Sequence, residues 1–189
     1  MTRVLIPIAE GSEELETVTM IDLFRRAGFE VTVAGLAAGP VRASRETVIV
    51  PDARIDEVAD GRFDLVALPG GLPGAKRLAE SEVLAAVLRR QHDEGRWLSA
   101  ICAAPQVLAR HGLLAGRRAT SFPGALDGFD DVERVDEAIV VDGHIVTSQG
   151  PGTAMDFALE LIGLCADRET RDRVEQGLQR PAAHRRRGS

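Results

Sequence analysis

The stretch WLSAICAAPQVLAR, residues 97–110, sets Cys102 between a short apolar run and an alanine-rich segment of helical character. A thiol at a strand end that faces a helix N-terminus meets unsatisfied backbone N–H groups and the positive end of the helix dipole. Both favour the thiolate, so this position predicts a low-pKa, reactive sulfur. Position alone leaves a second role equally open, that of a small buried hydrophobe closing the strand. Two other segments bear on the choice. LPGG, ending at Gly71, lies at another strand end, where the backbone N–H groups of Gly70 and Gly71 are unobstructed by side chains; with the N–H of Ala103 they would form an oxyanion hole beside the sulfur. In GSEELETV, Glu16 falls in the first turns of the helix after the first strand, on the same edge of the sheet. A buried carboxyl next to a thiolate should hold a proton and donate it in a hydrogen bond, stabilising the anion and offering a proton to a substrate. Glu13 and Glu14 read as ordinary helix-start carboxylates, and spacing alone leaves that reading open for Glu16 too.

The elements that must position these groups follow from apolar periodicity. RVLIPIA (3–9) reads as a buried strand. In the segment after it Leu15, Val18, Ile21, Leu23 and Phe24 recur at near-helical spacing, with Ser12 as the cap and Gly28 as the stop, before a second strand over 30–35. FDLVALPGG is a buried strand ending in a glycine turn, SEVLAAVLRRQHDEG a helix, WLSAIC a strand and APQVLARHG a helix. Strands that are apolar throughout and alternate with helices predict a parallel sheet covered on both faces, an open doubly wound α/β fold. The Asp-Gly pair in AIVVDGHIVTS predicts an antiparallel hairpin near 139–147, and two helices close the chain. In such sheets ligands bind outside the carboxyl ends of the strands, where Cys102, LPGG and Glu16 would converge.

The 189 residues fit one domain, read as 1–180, followed by a basic tail over 181–189 that contains Arg185–Arg187. The net charge of −6 argues against broad nucleic-acid binding, and no apolar run approaches the ~20 residues of a membrane helix. A globular, cytoplasmic protein is the expectation. Cys102 and Cys165 share no CxxC spacing, so neither a disulfide framework nor a metal site is predicted; Cys165 falls on the inward stripe of the long closing helix and reads as structural.

AEGSEELETV, DLFRRAGFEVTVAGL, SRETVIVPDA, DLVALPGG, AICAAP and TSQGPGTAMDFAL, in this order over nearly the whole chain, closely resemble the ThiJ/PfpI superfamily, in its YajL / Parkinson-associated deglycase branch. The resemblance implies a flavodoxin-like sheet with helices on both faces, class I glutamine-amidotransferase-like, and a homodimer. It implies that Cys102 is the nucleophile, that Glu16 hydrogen-bonds it, that Gly71 and Ala103 are the backbone donors, and that Arg45 and Arg26 lie near the pocket mouth, with a dimer partner as a source of one of them. Easy oxidation of Cys102 to a sulfinic acid is a further implication, in keeping with an accessible thiolate. The sequence departs from the family where several relatives carry a histidine, since Phe122 stands there, and Ala103 follows Cys102 where protease-like relatives carry one. His111 is about 13 Å along its helix from Cys102. His144 lies in the hairpin turn, His92 near a helix end and His184 in the tail, so a protease or amidohydrolase triad is poorly supported. The activity implied is that of a cysteine-dependent deglycase or glyoxalase acting on methylglyoxal, glyoxal or their early adducts with amines and thiols, without metal or organic cofactor. The alternative is a redox sensor or redox-regulated chaperone that uses the same oxidisable cysteine.

Overall fold

A computed structural model describes residues 1–181. The chain opens with β1 (Arg3–Ile8), α1 (Glu14–Arg26) and β2 (Glu30–Gly35), and continues through the short strands β3 (Val41–Arg42), β4 (Val48–Ile49) and β5 (Ala53–Arg54) into α2 (Ile55–Val58). Next come β6 (Leu65–Leu68), α3 (Leu72–Glu80), α4 (Glu82–Asp93), β7 (Trp97–Ile101) and α5 (Pro105–Arg110). The last part holds β8 (Arg118–Ala119), β9 (Glu133–Arg134), β10 (Ile139–Asp142), β11 (Ile145–Ser148), a 3-10 turn at Pro151–Thr153, α6 (Ala154–Cys165) and α7 (Arg168–Gly177).

Seven strands form one sheet in the order β10-β11-β7-β6-β1-β2-β5, parallel at every pairing except the β10–β11 hairpin. Val4 to Ile8 of β1, all of β6 and all of β11 are buried at successive positions. Residues of both parities are therefore covered, which requires helices on both faces, and this is the flavodoxin-like arrangement expected from the unbroken apolar runs. Helices α1, α6 and α7 pack together in one group, and α2 to α5 in another. Because β2 lies on one side of β1 and β6 on the other, the order reverses at β1, and the loops leaving the carboxyl ends of β1, β6 and β7 diverge around a crevice.

Three expectations about the elements need correction. The inward face of α1 is Glu16, Thr17, Met20, Leu23 and Phe24, whereas Leu15 and Val18 are 51% and 49% exposed. Two polar residues occupy the first turns of the buried stripe, and of the expected apolar series Leu23 and Phe24 lie on it while Leu15 and Val18 do not. The cap of α1 is Glu13, whose carboxylate accepts the Glu16 N–H at 2.8 Å, while Ser12 Oγ accepts the Ala9 N–H at 3.0 Å and shapes the preceding turn. Finally, α3 begins directly after LPGG, in a segment whose Leu-Pro-Gly start resembles a loop; Pro73 is tolerated because it sits in the first turn, where its missing N–H has no partner to lose. The hairpin forms as expected, with Ile139 opposite Ser148 and Asp142 opposite Ile145. The tail predicted for 181–189 lies, beyond residue 181, outside the described residues.

Candidate active site

Cys102 directly follows β7, in the left-handed region at φ 63°. This conformation costs a non-glycine residue about 1–3 kcal/mol and persists only where the surroundings impose it. Here the neighbouring backbone does so: the Cys102 N–H donates to the Ser148 carbonyl at 2.9 Å, and its own carbonyl accepts the Phe122 N–H at 2.8 Å. The residue is 9% exposed, and its side chain reaches the floor of a cleft of about 770 Å³.

Glu16 reaches the same point from the first turn of α1 and is wholly buried. Its Oε2 accepts the Gly70 N–H at 2.7 Å, and the Gly70 carbonyl accepts the Glu13 N–H at 2.9 Å, so one peptide of the β6–α3 loop clamps the start of α1. Its Oε1 is buried without a regular hydrogen bond, and the carboxyl's remaining interaction is with the Cys102 thiol. No side chain fits at position 70: a Cβ there would lie 2.5 Å from Cys102 Cβ and 2.8 Å from Glu16 Oε2. Glycine is what allows the carboxyl and the sulfur to meet. Gly71 adopts φ 83°, and a Cβ on it would sit 2.3 Å from the Gly11 carbonyl oxygen. That turn directs the Gly71 N–H to the sulfur, and the Ala103 N–H joins it from the other side.

The electrostatics depart from the expected low-pKa thiol. Burial pushes the Glu16 carboxyl up to about 7, with the Gly70 N–H pulling the other way. Burial also pushes the Cys102 thiol up, to about 12, and the Glu16 charge adds to it; the Gly71 and Ala103 N–H groups oppose the rise without cancelling it. The helix that was to lower the pKa, α5, has six residues and begins three positions beyond the sulfur, so its dipole is weak there compared with desolvation. Two adjacent anions in this enclosure are disfavoured, and the pair gives up its first proton as a unit near neutral pH. The resulting single negative charge rests on Glu16 with a neutral thiol, and passes to the sulfur when the thiol proton moves to the carboxylate.

Of the backbone donors expected from sequence, Gly71 and Ala103 face the sulfur, but Gly70 does not serve, because its N–H is already bound to Glu16. Arg45 lines the cleft. Its backbone N–H and those of its neighbours are tied down by Glu14, whose carboxylate accepts from Ser44 Oγ at 2.9 Å, Arg45 N at 2.8 Å and Thr47 N at 3.3 Å. Glu14 is therefore a loop anchor rather than an idle helix-start charge. Arg26 sits in the last turn of α1, paired with Asp22 at 2.7 Å, and does not line the cleft of its own chain, since a 13-residue helix carries it away from the strand ends. Arg42 and Arg77 do line it and were not anticipated. Arg77 is held by the Pro73 carbonyl one turn back in α3 at 3.2 Å and by the distant Glu10 carbonyl at 3.0 Å, a contact that no local pattern reveals.

Among the described residues no histidine lines the cleft. His111 caps the end of α5, and His92 and His144 pair with each other at 3.1 Å; His184 lies outside the described residues. Phe122 occupies the cleft wall. Cys165, the last residue of α6, is partly buried, and burial pushes its thiol up to about 12. No group of three or more His, Cys, Asp or Glu side chains among the described residues could hold a metal ion, and no helix is long and apolar enough to cross a membrane.

Comparison with known proteins agrees with this arrangement. Residues 2–164 match the DJ-1/PfpI family. The Drosophila melanogaster protein dj-1beta is 42% identical over 179 residues, covering 92% of this chain and 95% of the relative. The Caenorhabditis elegans glutathione-independent glyoxalase DJR-1.2 is 36% identical over 161 residues, covering 84% and 85%. The solved structure of oxidised DJ-1 from Toxoplasma gondii superposes with a TM-score of 0.91 at 40% identity, covering 94% of this chain and 98% of that one. With the fold and the sequence in agreement, the chain belongs to the DJ-1/PfpI family.

Proposed function

We propose that the protein is a glyoxalase or deglycase, converting methylglyoxal, glyoxal or their early adducts with amines and thiols to hydroxy acids, with Cys102 as nucleophile and Glu16 as proton carrier. The observation that carries this reading is the wholly buried Glu16 carboxyl, held against the Cys102 thiol and raised to about 7, where it can both take and give a proton at neutral pH. The glyoxalase named among the relatives supports the reaction class.

With methylglyoxal, the sulfur adds to the aldehyde carbon as the thiol proton passes to the Glu16 carboxylate, and that proton then goes to the new oxyanion, giving a hemithioacetal. Gly71 and Ala103 N–H groups, aimed at the sulfur, stabilise the oxygen one bond beyond it as charge develops. Glu16 next removes the proton from the former aldehyde carbon and returns it to the adjacent carbon, while the hydroxyl proton on the first carbon's oxygen passes to the oxygen of the second, so the hemithioacetal becomes a lactoyl thioester. Water hydrolyses the thioester, releasing lactate and restoring the thiol. The balance is methylglyoxal plus water to lactate. The scheme uses no metal or organic cofactor. Arg45 guides anionic substrates, and the expected assembly is a homodimer, for which the exposed Leu15 and Val18 on α1 offer an apolar surface and through which Arg26 would approach the partner's cleft.

The test is lactate formation from methylglyoxal in buffer free of amines. Cys102→Ala is expected to lose at least about 10³-fold in kcat/KM, as removal of a nucleophile does. A wild type no faster than this variant would refute the enzyme. A second reading, a redox sensor or redox-regulated chaperone, is favoured by the lack of a histidine at the cleft among the described residues and by the oxidised form known for the Toxoplasma gondii relative. On that reading mild peroxide adds two oxygens at Cys102 ahead of Cys165, because only Cys102 has a neighbouring carboxylic acid, Glu16, that can hydrogen-bond the product. Intact-mass and peptide analysis showing equal oxidation of the two cysteines would count against it.

A further inference from the structure

The cleft has a wall that this chemistry does not use. Phe122 and Leu72 are 52% and 66% exposed, and both line the cleft that has Cys102 at its floor. The N–H bond from Phe122 to the Cys102 carbonyl fixes that residue beside the nucleophile, and its ring lies along the Gly150 backbone, with Cδ2 3.6 Å from where a Cβ on Gly150 would be. Pro73, Pro123 and Pro151 extend the wall with rigid apolar surface. Large apolar side chains left in water at a cleft are stabilised by whatever covers them, and they mark recognition surfaces. At about 770 Å³ the cleft has the capacity of sites that enclose drug-sized molecules, well beyond the needs of a three-carbon aldehyde.

We propose that Phe122 and Leu72 form a specificity wall selecting α-oxoaldehydes with an aryl or branched alkyl substituent, seated so that the aldehyde carbon meets Cys102 Sγ while the substituent covers Phe122. The proposal rests on the glyoxalase reading and names the substrate class of the same site. The reaction stays balanced as before: an arylglyoxal plus water gives the aryl 2-hydroxy acid, so phenylglyoxal yields mandelate. Phe122 acts here by contact with the substituent and takes no part in proton transfer.

Two measurements test it. In turnover, the kcat/KM of the wild type for phenylglyoxal is expected to exceed that for methylglyoxal by at least about tenfold, the scale on which an apolar group in a pocket discriminates. Phe122→Ala brings the ratio near unity and Phe122→Leu keeps most of it; Phe122 is exposed enough for both variants to fold. In binding, calorimetry on Cys102→Ser protein compares mandelate with lactate, which needs no turnover and leaves arginines unmodified. Mandelate is expected to bind at least about tenfold more tightly, and the preference to vanish when Phe122→Ala is added. Equal binding of the two acids, or a preference that Phe122→Ala leaves intact, overturns the wall whatever the rates. Failure to turn over either oxoaldehyde while mandelate remains preferred overturns the glyoxalase reading and supports the wall.

Discussion

Glu16→Gln is expected to lower kcat/KM for methylglyoxal by about 10²–10³-fold at neutral pH, the range typical of losing a general acid–base. It should also change the shape of the pH profile. In the wild type the reactive form is the one in which the Cys102–Glu16 pair has given up one proton, so the rate should climb through about pH 7 and then level off. The direction follows from Glu16's task in the first step: a carboxylate can take the thiol proton as sulfur attacks, whereas a protonated carboxyl cannot. Glutamine keeps the size of the side chain and can still accept the Gly70 N–H through its amide oxygen. It cannot take the thiol proton, and the sulfur must then ionise unaided against burial, which moves the rising limb to alkaline pH. Initial rates from pH 5.5 to 9.5 for the two proteins decide the matter. A glutamine variant within threefold of wild type with the same rise near pH 7 would remove Glu16 from the proton transfers.

That role was legible in the sequence only in outline. The strands β1, β6 and β7 declared themselves because they are buried on both faces and hence almost wholly apolar, with Ser99 the polar exception inside β7, and their order put Cys102, LPGG and Glu16 at neighbouring strand ends. What was lost was lost for physical reasons. Glu16 and Thr17 lie on the buried stripe of α1, where a pattern of apolar residues must fail, so the helical spacing that includes Leu15 and Val18 marked the helix without marking its buried face. The competition for the Gly70 N–H was invisible because Glu16 and Gly70 are 54 residues apart and only the fold brings a carboxylate oxygen to that amide. The rise of the Cys102 pKa was missed for a related reason: a helix start can be read locally, whereas desolvation depends on everything packed around the sulfur. Arg42, in β3, and Arg77, in α3, reach the cleft through long-range bonds such as Gly11 N–H to the Arg42 carbonyl and Arg77 to the Glu10 carbonyl.

The raised Glu16 pKa also makes folding stability depend on pH, in the sense opposite to that of a salt-bridged carboxylate. Below about pH 4.5 the carboxyl is protonated in both the folded and the unfolded chain, and the group contributes no pH dependence. Between about 4.5 and 7 the unfolded chain has released this proton while the folded chain retains it, so the folded state binds more protons and loses stability as pH rises. Above about 7 both forms are ionised and the loss is complete, at about 3 kcal/mol for this one group. This burden is the counterpart of the function, since a carboxylate that ionised freely at pH 5 would be too weak a base to take the thiol proton at pH 7. Glu16→Gln, which has no charge to desolvate, is therefore expected to be more stable than wild type by about 3 kcal/mol at pH 8 and by little at pH 4.5. Denaturant unfolding of both proteins at several pH values measures the difference directly, with the midpoint rising in the variant while the slope stays the same. A stability difference that is flat from pH 4.5 to 8 would mean that the folded protein does not hold the Glu16 proton, and the proton-carrier role argued from kinetics would lose its physical basis with it.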